Sequence, residues 1–169
     1  MKRVSLAILA ICLLFVACKK DENQNKIDES LKKWHAYKAS VNNFYSYVVH
    51  FTSWTGSFME TKISVQNGKV IQRAFTSGER QQNSPTRIIT NSWTETGSDI
   101  GTHDDYAAKP ITLDQVYAQA PKMINVNKQK NDIYFSVDDN GLIQSVGYVP
   151  KGCQDDCFNG VQIKDIKAL

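Results

Sequence analysis

The chain has 169 residues, with 41% apolar side chains and a mean hydropathy of −0.39, enough to bury the core of one domain. Twenty basic residues face 17 acidic ones, a net charge of +3. That balance excludes a polybasic nucleic-acid binder and gives no reason to expect nucleic acid as a partner. Lys2 and Arg3 precede a run of 14 apolar or small residues, Val4 to Ala17. A membrane-spanning helix needs roughly 20 such residues, so the run is too short to span. A basic start, a short apolar stretch and a small residue at its end describe a secretory signal covering residues 1–17.

Cys18 follows at once. Phe15-Val16-Ala17-Cys18 resembles the lipidation site of bacterial lipoproteins, in which the signal is cut before the cysteine and the cysteine carries the lipid. Val16 and Ala17 fit that pattern; Phe15 stands where leucine is commonest. The resemblance implies a membrane partner reached through acyl chains on Cys18, and several chains hold far more firmly than one. Lys20-Asp21-Glu22 is similar to the export signal that follows the cysteine in lipoproteins of the Bacteroidetes, which places them on the outer face of the outer membrane. The mature chain would then hold 169 − 17 = 152 residues, with 18 basic against 17 acidic side chains.

Four cysteines occur. On this reading Cys12 leaves with the signal and Cys18 is lipidated, so Cys153 and Cys157 remain as a pair in an oxidising compartment and are expected to form a disulfide. So short a loop stabilises by about 2 kcal/mol at most. The spacing is not the Cys-x-x-Cys of thiol oxidoreductases.

Residues 18–25 read as the lipidated cysteine and a polar tether, and 26–169 as one domain. Ile27, Leu31, Trp34 and Tyr37 mark one face of a helix over 26–38. From Asn42 the period becomes two: Tyr45, Tyr47, Val49 and Phe51 alternate with more polar residues as a strand. A second strand carries Met59, Thr61, Ile63 and Val65. Asn67-Gly68 is the preferred pair of a type I′ hairpin turn, and the return strand is expected from Lys69 to Phe75. Residues 76–85 read as a loop, 86–96 as a further strand and 97–110 as the longest loop. Thr112 caps a second short helix, with Gln115 at the capping-box position, and Pro121 ends or distorts it. Strands follow at 133–137, 142–149 and 161–166, with a turn at Asp138-Asp139-Asn140-Gly141. The pattern predicts an α+β domain with both helices packed on one face of an antiparallel sheet.

These landmarks resemble a family of small exported bacterial proteins of unknown function. The matching features are Trp34, Tyr45 and Tyr47, the hairpin from Val65 to Val70, the helix start from Ile111 to Tyr117, and the stretch Val137 to Ile143. Each is a cap, a turn or a packing position. The resemblance implies fold and export and carries no activity.

No nucleotide-binding, metalloprotease or serine-hydrolase motif is present, and no cofactor is expected. His103, Asp104 and Asp105 in the long loop, with Asp155 and Asp156 in the cysteine loop, are the candidate cation ligands. Trp54 and Phe58, at a strand connection, are the candidate exposed aromatics for stacking on a sugar or a protein. The leading reading is a non-catalytic binding or interaction module of the bacterial cell envelope, with a protein or glycan partner. The alternative is a cation-dependent envelope hydrolase using His103 and the loop carboxylates.

Overall fold

A computed structural model describes residues 22–81, 86–103 and 106–169. The residues of the expected signal segment (1–17), Cys18, Lys20, Asp21, Asp104 and Asp105 lie outside the described residues. Within them the chain forms two helices on an antiparallel sheet of seven strands, an α+β fold. The order is α1 (Glu22–Ser40), β1 (Phe44–Thr52), β2 (Ser57–Gln66), β3 (Lys69–Arg80), β4 (Arg87–Thr96), α2 (Leu113–Ile124), β5 (Asn131–Val137), β6 (Ile143–Pro150) and β7 (Asn159–Ala168). In space the strands run β4-β3-β2-β1-β7-β6-β5.

Several boundaries differ from the sequence expectation, three of them informatively. Helix α1 begins at Glu22, so Glu22 to Asn25 are helical and not tether. Polar side chains extend a helix when they pair along it, as Lys26 does with Glu22 at 2.7 Å. Strand β3 continues past Phe75 to Arg80, with Gly78 inside it. A Cβ at Gly78 would lie 1.9 Å from the Ile88 carbonyl oxygen, so this glycine serves close approach of β4 and not a turn. Helix α2 passes through Pro121, whose carbonyl still accepts from the Asn125 amide at 3.1 Å. The turns behave as expected. Asn67 and Gly68 have φ of 50° and 75°, and the Asp138 carboxylate accepts from the amides of Asn140 and Leu142.

The core gathers around Trp34. Its ring meets Tyr45 edge-on at 4.7 Å and stacks over Tyr117 at 6.3 Å. Each buried aromatic also needs a partner for its polar atom. The Trp34 indole N–H donates to Asp114, and the Tyr117 hydroxyl is shared by Ser30 and the Ile143 amide. The Tyr45 hydroxyl accepts from the Leu113 amide, and the Tyr47 hydroxyl donates to the Ile111 carbonyl. Two residues of one strand thus hold the start of α2. The capping box forms there as predicted, with Thr112 and Gln115 bonding each other's backbone amides.

Trp34→Ala is expected to lower unfolding stability by roughly 3–5 kcal/mol, the usual loss for a buried large aromatic. Tyr47→Phe, which leaves the Ile111 carbonyl unmatched, should lose about 1–3 kcal/mol. Urea titration followed by tryptophan fluorescence measures the second, and circular dichroism the first.

Candidate functional site

The helices cover the half of the sheet built from β1, β7, β6 and β5. The other half is covered by the segment between β4 and α2, held by one carboxylate. Glu95 and Arg73 face each other across β4 and β3, both on the helix side of the sheet, 3% or less exposed, with N–O 3.2 Å. Glu95 also accepts from the Gly101 amide at 2.8 Å, the His103 amide at 2.7 Å and the His103 ring Nδ1 at 2.9 Å. Arg73 donates to the His103 carbonyl at 3.1 Å. Burial alone would raise the Glu95 pKa, but the Gly101 and His103 donors and the Arg73 charge override it and bring it down to about 2.

The His103 ring lies flat on Trp93, 4.1 Å between centroids and 10° between planes. Its Nδ1 is committed to Glu95. Asp155 lies elsewhere, accepting from the Trp54 indole at 3.1 Å. Among the described residues no three His, Cys, Asp or Glu side chains converge as metal ligands. Cys153 and Cys157 do come together: their sulfurs are within bonding distance and their Cα atoms are 6.4 Å apart. Of the two candidate aromatics, Trp54 is 80% exposed, but Phe58 is 1% exposed. Phe58 points to the sheet face away from the helices, and the Arg87 guanidinium closes over it at 4.0 Å while donating to Glu60. A cation–π lid of this kind removes Phe58 from the surface set.

A cavity arises from a change of partner along β7. Its first half, Asn159 to Gln162, pairs with β6; its second half pairs with β1, starting at Ile163 opposite Val49. Beyond Val49 the register between β1 and β7 ends, and the sheet forks. The fork holds a cavity of about 360 Å³. Val49, His50 and Phe51 of β1, with Met59 and Thr61 of β2, form one wall. Gly160, Val161 and Gln162 of β7, with Phe158, form the other, and Val116 and Met123 of α2 close the top beside Tyr106, Ala108, Lys109 and Ile111. Phe158 is placed by two glycines: Cβ atoms at Gly147 and Gly160 would come within 2.8 and 2.9 Å of its ring. The segment 106–111 is pinned by the Ala108 amide, which donates to Thr61 Oγ1 at 2.9 Å, and by Tyr47 at Ile111.

The cavity is mainly apolar, and no Asp or Glu is among its described lining residues. Burial, then Lys164, hold the His50 pKa below its ordinary value; Glu60 pulls it upward, Arg80 lowers it by less than Glu60 raises it, and Asp165 raises it least. Lys109, exposed at the rim, is therefore the one full positive charge among its described lining residues at neutral pH.

No known protein family, curated protein or solved structure matches this chain.

Sequence reasoning missed Glu95, Arg73 and the forked cavity. Glu95 carried a signal: it shares strand parity with Trp93, placing a carboxylate on the core side just before Gly97. The cavity carried none, because it depends on where β7 changes partner.

Glu95→Ala should destabilise the domain by roughly 3–5 kcal/mol, since it strands a buried guanidinium. The pH dependence has a defined sign. Folded Glu95 titrates near 2, below the roughly 4.3 of an unfolded glutamate, so its stabilisation is complete above that value and is lost as pH falls toward 2. Urea midpoints measured from pH 6 to pH 2 should fall for the native chain, with a smaller drop for Glu95→Gln; equal slopes would remove this role.

Proposed function

We propose that the chain is a lipid-anchored protein of the bacterial cell envelope whose folded domain is a non-catalytic binding module, with the forked cavity as its binding site. The observation that carries the binding half is the cavity itself. It is concave, mainly apolar, and walled by elements fixed independently of any occupant: Tyr47 and Thr61 hold one side, Phe158 on its glycine pair the other. A preformed apolar cleft with few polar groups is the usual form of a small-molecule site. The anchored half rests on the N-terminal pattern ending at Cys18, on the likeness of Lys20-Asp21-Glu22 to the Bacteroidetes export signal, and on the resemblance to exported proteins of unknown function. The paired Cys153 and Cys157 support an oxidising compartment. No described helix is long and apolar enough to cross a membrane. The hydrolase alternative gains no support from His103, whose Nδ1 and ring face are both engaged by Glu95 and Trp93.

Two measurements test the halves separately. Cys18→Ser should abolish acyl labelling and move the protein out of the membrane fraction; a variant that still sediments with membranes refutes the anchor. Val161→Trp and, on the opposite side, Met123→Trp should each fill the cavity. Envelope extract passed over the native protein should leave a compound that either filled variant fails to retain. Identical retention by native protein and folded variants, with folding checked by thermal melts, refutes the binding site.

A further inference from the structure

We propose that the forked cavity takes a single-tailed amphiphile with an anionic head, its chain between β1 and β7 and its head on Lys109. This rests on the binding-module reading and adds the chemical class of the ligand. The interior favours an apolar occupant. Tyr47 spends its hydroxyl proton on the Ile111 carbonyl, and Thr61 Oγ1 accepts the Ala108 amide. The rest of the lining is mainly apolar, with Val49, Phe51, Met59, Met123, Val161 and the Phe158 ring outnumbering the polar His50, Gln162 and Tyr106. A sugar ring placed there would find partners for only some of its hydroxyl groups, and hydroxyls buried unpaired against apolar walls disfavour it.

Shape narrows the class. About 360 Å³ lies at the small end of ligand cavities, which run from roughly 300 to 1,000 Å³. It suits one flexible chain better than a two-tailed lipid. Met59 and Met123 face this space from opposite sides, and thioether side chains adapt to irregular apolar shapes. Charge sets the head group. Among the described residues no carboxylate lines the cavity to repel an anion, and Lys109 forms no ion pair. An ammonium at the rim of an apolar cleft favours a carboxylate, sulfate or phosphate head and disfavours a cationic one.

The test is calorimetric titration of the full-length Cys18→Ser protein with straight-chain alkanoates of 6 to 14 carbons, kept below their micelle concentrations. Alcohols and alkyltrimethylammonium ions of equal length serve as controls. Affinity should rise about fourfold per methylene and then level off when the chain fills the cavity. At a fixed length the alkanoate should bind best, and Lys109→Gln should weaken it by about tenfold while leaving the alcohol unchanged. Equal affinity for the cationic series, or an alkanoate preference that survives Lys109→Gln, overturns the anionic class while leaving the cavity as a binding site. Affinity that climbs with length without levelling places the chains outside the cavity and overturns the inference. No binding by any series does so too, and the extract-retention experiment then decides separately whether the cavity binds something else.

Discussion

A β-strand has two edges, and β7 must satisfy partners on both. It pairs with β6 over Asn159–Tyr148 to Gln162–Ser145 and with β1 from Ile163–Val49 to Ala168–Tyr45, so neither neighbour is paired along its whole length. The second pairing contains a bulge at Asp165, a non-glycine residue at φ 54°. Backbone groups dictate the rest: once the register with β1 stops at Val49, the strands separate and the space between them must be closed from other elements. Helix α2 and the segment 106–111 do this, and they can do so only because Tyr45, Tyr47 and Thr61 hold them to the sheet.

Glu95 works at the other end of the same covering segment. A carboxylate with 1% exposure is tolerated because it gathers two backbone amides, an imidazole and a guanidinium. Those bonds fix residues 101 and 103, and Tyr47 fixes residue 111. The segment therefore crosses the sheet between two anchors, one ionic and one built from tyrosine hydroxyls. The two halves of the helix-side face are covered by different means, secondary structure on one and an anchored loop on the other.

Much of the fold was legible because it rests on local chemistry. The spacing of Ile27, Leu31, Trp34 and Tyr37, the alternation around Tyr45 and Tyr47, the Asn67-Gly68 turn and the Thr112–Gln115 box each specify a conformation within a few residues. The errors fall where a distant partner decides. Gly78 reads as a loop signal until the β4 backbone is known to approach it. Phe58 reads as an exposed aromatic until Arg87 closes over it. His103 reads as a cation ligand until Glu95, eight residues back on the core side of a strand, claims its Nδ1. Residue type announced each candidate; only tertiary pairing assigned its work.

The early start of α1 bears on geometry at the membrane. Cys18 and Glu22 are four residues apart, and extended chain covers at most about 3.3–3.6 Å per residue, so the leash between them cannot exceed roughly 14 Å. On the lipid-anchored reading, the first turn of α1 lies within roughly 14 Å of the lipidated cysteine, about two headgroup layers. A globule held so closely has little freedom to tumble, and the membrane would screen part of its surface from large partners while small amphiphiles leaving the bilayer would meet the protein at once.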